Sequence, residues 1–187
     1  MKYEVELKFR LEDLPAIEAK IRDSGSIEQS AVTHIDRYFN HPSRDFRQTD
    51  EAFRIRSVGH RNCVTYKGAV IGSVAKTRHE IEVGIADGEE NAGQFGEIVK
   101  QLGFRFVREV RKTRRSFSLN WNQRSYELAL DSVPSLGEFL EIELIAENED
   151  RENAEAAVWQ LARSFGLSVS EPRSYLDLLI AADGTER

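Results

Sequence analysis

Apolar and polar residues alternate along most of this chain, and one charged version of the alternation recurs three times. Glu4-Val5-Glu6-Leu7-Lys8, Glu80-Ile81-Glu82-Val83 and Glu141-Ile142-Glu143-Leu144 each set two glutamates one residue apart on an apolar strand. Strand side chains alternate faces, so each glutamate pair shares one face while Val5, Ile81 or Ile142 takes the other. Each copy runs on into a helix-like stretch that closes on a glycine: Gly25, Gly103 or Gly166. The same period opposes Phe53 and Ile55 to Arg54 and Arg56, and Val64 and Tyr66 to Thr65 and Lys67. It also opposes Phe117 and Leu119 to Lys112, Arg114 and Ser116, and Leu128 and Leu130 to Ala129 and Asp131. Val110 breaks the polar phase of its strand. The pattern predicts seven or eight strands, most with one apolar and one charged face.

Four segments carry the helical period instead. Asp13 is placed to cap a helix opening on Leu14-Pro15, with Ile17 and Ile21 as its stripe. A second helix is predicted over about 92–102, with Phe95, Ile98, Val99 and Leu102 on one face. A third runs over about 152–165, with Ala154, Val158, Leu161 and Phe165 in a row, and a last one starts near Ser174 and carries Tyr175, Leu176, Leu179 and Ile180. These stripes are expected to cover the apolar strand faces. The charged faces then either meet water on a flat sheet or line the inside of a closed antiparallel one. Both architectures satisfy the pattern.

Composition narrows the function classes. With 187 residues the chain fits one domain, or at most two small ones, and is long enough to bury a core. Its 40% hydrophobic and 31% charged residues describe a soluble globular protein. A net charge of −6 argues against nucleic acid as a partner, although a local cation cluster with a metal ion suits a small phosphate. The single cysteine, Cys63, excludes an internal disulfide. Met1-Lys2-Tyr3-Glu4 lacks an apolar signal region and no run reaches membrane-spanning length, so a cytoplasmic location is expected.

Two residue sets carry candidate chemistry. Glu4, Glu6, Asp131, Glu141 and Glu143, with Glu80 and Glu82, offer hard oxygen ligands of the kind that suit Mg²⁺ or Mn²⁺. His34, His41, His60 and His79 have no metal-ligand spacing, which argues against zinc. Lys8, Arg54, Arg56, Lys67, Lys112 and Arg114 form the cationic set, in which guanidinium forks match phosphate oxygens. The plainer alternative is solvated strand faces crossed by weak surface ion pairs. A phosphate loop is absent, because Gly68, Gly72 and Lys76-Thr77 have the wrong spacing. No Ser-His-Asp or Cys-His nucleophile is supported either.

Taken in order, these residues resemble the CYTH family, also called triphosphate tunnel metalloenzymes. The resemblance rests on Glu4-x-Glu6-x-Lys8, Asp36-Arg37-Tyr38-Phe39, Phe53-Arg54-Ile55-Arg56, Thr65-Tyr66-Lys67-Gly68, Glu80-Ile81-Glu82 and Arg111-Lys112-Thr113-Arg114. It continues through Asp131-Ser132-Val133, Leu136-Gly137-Glu138-Phe139-Leu140-Glu141-Ile142-Glu143 and Ser174-Tyr175, and covers nearly the whole chain. Tyr-Phe-Asn-His-Pro at 38–42 is similar to the class IV adenylyl cyclase branch, with Asn40 where that branch often has Asp and Ala69 where proline is usual.

The resemblance implies one α+β domain over 1–187: an eight-stranded antiparallel closed β-tunnel, or barrel, with a charged lumen and helices packed outside. It implies Arg54, Arg56, Lys112 and Arg114 as substrate-binding residues and Lys8, Lys67 and Asp131 as catalytic ones. Asp131 would orient a metal-bound water or help to deprotonate the ribose 3′-hydroxyl. Glu4, Glu6, Glu141 and Glu143 would hold Mg²⁺ or Mn²⁺, with Glu80 and Glu82 as further candidates. The implied reaction is conversion of ATP to cyclic AMP and pyrophosphate. Hydrolysis of inorganic triphosphate, thiamine triphosphate or a nucleoside triphosphate is the alternative, and a non-catalytic polyphosphate- or nucleotide-binding module is a third reading. The partner is a small triphosphate rather than nucleic acid or membrane, and a homodimer is left open.

Overall fold

The computed structural model describes residues 2–70 and 76–184; Gly72 and the terminal residues 1 and 185–187 lie outside them. Ten strands are described: β1 (Lys2–Leu11), β2 (Ile27–Glu28), β3 (Val32–Asn40), β4 (Ala52–Val58), β5 (Arg61–Lys67), β6 (Lys76–Arg78), β7 (Glu80–Ile85), β8 (Arg105–Trp121), β9 (Arg124–Val133) and β10 (Gly137–Glu147). Five α-helices accompany them: α1 (Leu14–Asp23), α2 (Phe46–Thr49), α3 (Glu89–Gln101), α4 (Arg151–Ser164) and α5 (Tyr175–Ala182). The strands pair in the order β6-β1-β10-β9-β8-β3-β4-β5-β7, with β2 on β8. Helices and an antiparallel sheet make this an α+β fold, as the alternation predicts. The path ends at β6 and β7, which do not pair with each other among the described residues, so closure into a tunnel is not part of the described pairing.

The chain divides into two compact units, and β8 contributes to both. Among the described residues one unit holds 2–31, 76–77 and 113–184, and the other 32–70 and 78–112. In the first, β1 pairs antiparallel with β10, β10 with β9, and β9 with the C-terminal part of β8. Its core is the apolar face of those strands under α1 and α4: Val5, Leu7, Phe9, Phe117, Leu128, Leu140 and Ile142 meet Ile17, Ile21, Ala154, Val158 and Leu161. Asp13 does cap α1, its side chain accepting from Ala16 N at 3.0 Å. Ser174 and Asp177 close a capping box on α5.

In the second unit, β3 pairs with β4, β4 with β5 and β5 with β7, all antiparallel. Phe39, Ile55, Ala92 and Val99 form its core, with Phe53, Val64, Ile85, Phe95 and Phe104 packed against it. Gly96 brings α3 close to the sheet: a Cβ there would touch Ile55 and Phe39 at 3.6 and 3.7 Å. α3 therefore buries Ala92, Gly96 and Val99, while Ile98 and Leu102, expected on the same stripe, are exposed. Ile81 and Val83 also depart from expectation, at 49% and 59% exposure. They sit on β7, the last strand of the path, and α3 packs against β4.

Three features escape the alternation. β2 and β6 are two and three residues long, too short to show a period. β3 hides its phase because Arg37 shares a face with Ile35 and Phe39. β8 changes its buried side, from Val110, Lys112 and Arg114 to Phe117 and Leu119, so Val110 belongs with the charged residues.

These packing differences predict unequal costs. Phe117→Ala, at a fully buried site, should lower unfolding stability by about 3–5 kcal/mol, whereas Val83→Ala should cost less than about 1 kcal/mol. Urea denaturation of both variants checks this; equal losses would place Val83 in a core.

Candidate functional site

The charged strand faces form one cluster in each unit. In the first unit, strand register sets Glu6 opposite Glu143 and Lys8 opposite Glu141 across the β1–β10 ladder. One oxygen from each of Glu6, Glu141 and Glu143 lies within 4.8 Å of the others, close enough to share a cation. These are hard oxygen donors without a nitrogen or sulfur among them, a set that fits Mg²⁺ or Mn²⁺. Glu4 is near enough to act on Glu143 electrostatically but is outside that trio.

Arg114 is the counter-charge. Its Nε and Nη2 donate to Asp131 Oδ1 and Oδ2 at 2.7 and 2.6 Å, Nη2 also reaches Glu141, and Nη1 stands 3.5 Å from Glu143. Asp131, fully buried, also accepts from the Tyr175 hydroxyl at 2.9 Å. Two cations, Lys8 and Arg114, thus stand among five carboxylates: Glu4, Glu6, Asp131, Glu141 and Glu143. Burial pushes the Glu143 carboxyl up, Arg114 opposes this, and Glu4, Glu141 and Glu6 add to it, leaving its pKa at about 8. This cluster has a surplus of negative charge, which a divalent cation would offset.

The second unit has the opposite balance. Arg56 forks onto Asp36, Nε to Oδ1 at 2.6 Å and Nη2 to Oδ2 at 2.7 Å. Arg54 Nη1 lies 3.5 Å from Asp36 Oδ2 and 3.4 Å from the Tyr38 hydroxyl, and Nη2 is 3.9 Å from Glu80. Lys67 pairs with Glu80 at 2.6 Å, and Thr65 donates to Glu82 at 2.9 Å. Burial would raise the Asp36 pKa, but Arg54, the Arg56 hydrogen bond and charge, and buried Lys112 hold it far below the ordinary value. Four cations meet three carboxylates here, and the buried Nε–H of Arg54 has no acceptor among the described residues. A desolvated donor of that kind is costly unless an anion reaches it.

Glu80 and Glu82, candidate metal ligands from sequence, are thus drawn to Lys67 and Thr65 rather than into the carboxylate trio. Asp131, expected to orient a metal-bound water or help deprotonate a ribose hydroxyl, accepts two hydrogen bonds from Arg114 and one from the Tyr175 hydroxyl. Lys8 is buried, donates to Arg173 O at 2.5 Å and lies 4.4 Å from the Tyr175 ring centroid. Asp36 and Tyr175 were missed as site residues. The signal for Asp36 was its even-numbered phase with Tyr38; nothing local marks Tyr175. Asn40 turned out to be a loop organiser: its Oδ1 accepts from His41 N and Phe46 N, and its Nδ2 donates to Asp45. His41 packs against the Phe46 and Phe104 rings.

The chain belongs to the CYTH domain family, whose model matches residues 2–175. A Methanocaldococcus jannaschii protein named "Putative adenylate cyclase" is 34% identical over 178 residues, covering 94% of this chain and 97% of that protein. The solved structure of a Pyrococcus horikoshii OT3 protein superposes with a TM-score of 0.82 at 38% identity, covering 95% of this chain and 98% of its own. A Hippeastrum structure, whose title describes a putative adenylyl cyclase with a dominant triphosphatase activity, shares the fold at a TM-score of 0.63 and 16% identity, over 100% of this chain and 98% of its own.

The Glu143 shift has a definite sign. A carboxyl whose folded pKa is raised adds stability that is complete below its unfolded pKa of about 4.5 and is lost as pH rises through about 8. Metal-free wild type should therefore lose melting temperature between pH 5 and 9, and Glu143→Gln should flatten that slope. Identical slopes in scanning calorimetry would mean that Glu143 titrates normally. Asp36→Asn, which leaves Arg54 and Arg56 underpaired, should destabilise by roughly 3–5 kcal/mol at neutral pH, read by urea denaturation.

Proposed function

We propose that this chain is a metal-dependent enzyme acting on a triphosphate. The observation that carries the reading is the Glu6–Glu141–Glu143 oxygen trio, a hard-ligand set with more negative charge than its cations balance. The cation surplus at Arg54, Arg56, Lys67 and Lys112, with a buried donor lacking an acceptor, supports an anionic substrate. Membership of the CYTH family and the naming of the 34%-identical relative support adenylate cyclase as the reaction. The reading does not require a closed tunnel.

In this reading Glu6, Glu141 and Glu143, with Glu4 nearby, hold Mg²⁺ or Mn²⁺. A metal held there would supply positive charge for phosphate oxygens. Arg54, Arg56, Lys67 and Lys112 take the triphosphate oxygens. Asp36 keeps the two arginines in fixed directions, so that little reorganisation is needed as charge develops in the transition state. Positioning and charge stabilisation are the main demands of phosphoryl transfer, and this residue set supplies both. For cyclisation the ribose 3′-oxygen attacks the α-phosphorus and pyrophosphate leaves. Triphosphate hydrolysis, by attack of water on the terminal phosphorus, is the second reading and would draw on the same charged residues.

Purified protein given ATP or inorganic triphosphate should turn over with Mg²⁺ or Mn²⁺, not with Zn²⁺, and stop on chelation. Cyclic AMP with pyrophosphate marks the cyclase and orthophosphate the hydrolase; full activity after rigorous chelation would sink the metal role. Arg54→Ala should slow turnover by about 10²–10³-fold, as when a preorganised charge-stabilising donor is lost.

A further inference from the structure

Tyr175 opens α5 from within the first unit, and its two ends do different things. Its hydroxyl donates to Asp131 Oδ2 at 2.9 Å, the same oxygen that takes Arg114 Nη2 at 2.6 Å. Its ring receives the Lys8 ammonium at 4.4 Å and packs edge-on against Phe139 at 5.1 Å between centroids. Lys8 otherwise donates to Arg173 O, two residues before the tyrosine, and its own carbonyl accepts from Glu171 N at 2.7 Å. The Lys8 ammonium thus meets a carbonyl and a ring face, and its charge also acts on the Glu171 carboxylate. Such an environment aims a buried cation through a hydrogen bond and a ring face.

We infer that Tyr175 is a positioning residue for both Lys8 and Arg114, an assignment that rests on the triphosphate reading. The hydroxyl fixes the plane of the Asp131 carboxylate and occupies an oxygen lone pair. That limits how far Arg114 is drawn away from Glu141 and Glu143. Without the hydroxyl, Asp131 loses its bond to α5, and the Arg114–Asp131 pair is held less firmly. The ring seats Lys8 against Arg173 O, so the ammonium meets an incoming phosphate from a defined direction. The capping box formed by Ser174 and Asp177 holds the first turn of α5, and Tyr175 is the first residue of that turn. The segment Glu171–Tyr175 thus reaches β1 by two hydrogen bonds and β9 by one.

Two full-length variants separate the two ends. Tyr175→Phe keeps the ring and removes the hydroxyl; Tyr175→Leu removes both. With inorganic triphosphate and Mg²⁺, Tyr175→Phe should lower kcat by about tenfold and leave KM within about twofold, whereas Tyr175→Leu should also raise KM by about tenfold. In metal-free protein without substrate, hydrogen exchange of the Arg114 Nε–H, followed by NMR, should speed up by about tenfold in Tyr175→Phe. A merely structural tyrosine would lower melting temperature in both variants without splitting kcat from KM or loosening Arg114. Wild-type exchange and wild-type kinetics in Tyr175→Phe would overturn the assignment. A wild type that neither binds nor turns over triphosphate would remove the triphosphate reading, and the exchange measurement alone would then decide the positioning role.

Discussion

A charge taken out of water must be matched, and this constraint organises the molecule. The effective penalty is several kcal/mol per ion, and attraction between partners repays it only when the remaining donors and acceptors are also satisfied. Asp131, fully buried, meets that condition through two bonds from Arg114 and one from Tyr175. Asp36 meets it through Arg56 and Arg54. The apolar faces carry the stability, because their burial against α1, α3 and α4 offsets the cost of chain ordering. The charged faces are kept in place by that scaffold and would not hold themselves together.

The two clusters solve the constraint unequally. In one the carboxylates outnumber the cations, and Glu143 responds with a raised pKa. In the other the cations outnumber the carboxylates, and Asp36 responds with a strongly lowered one. Groups whose environments push their pKa values apart are a recurrent mark of functional sites. The surpluses are of opposite sign, which is what a cation and a polyanion would each require.

Much of the architecture was legible because period-two alternation survives wherever a strand has one apolar and one charged face. β1, β4, β9 and β10 show it plainly, and the helix stripes at Ile17/Ile21 and Ala154/Val158/Leu161 show the longer period. The signal failed where a strand was too short, as in β2 and β6, or where a polar residue sat on the apolar side, as Arg37 does in β3. Exposure failed differently: Ile81 and Val83 look like core but lie on β7 while α3 packs against β4, and Ile98 and Leu102 are on the exposed side of α3 itself. The grouping of Glu6, Glu141 and Glu143 was legible because all three glutamates lie on paired strands in phase. The Asp36 fork and the Tyr175 bond were not, since they join residues 20 and 44 positions apart through side-chain reach.

The pairing of β1 with β10 has a consequence for how the protein is made. Lys8 faces Glu141, so the β1–β10 ladder must wait for residues roughly 130 positions later in the chain, although the short β6 on the other edge of β1 is made sooner. At a synthesis rate of about 5–20 residues per second, that delay is on the order of ten seconds. During it, Val5, Leu7 and Phe9 lie on a free strand edge, the kind of segment that invites association between nascent chains. Glu4, Glu6 and Lys8 alternate with those residues and keep the emerging strand charged on its other face. Whatever else these side chains do in the folded protein, they are in position to act as gatekeepers against aggregation during translation.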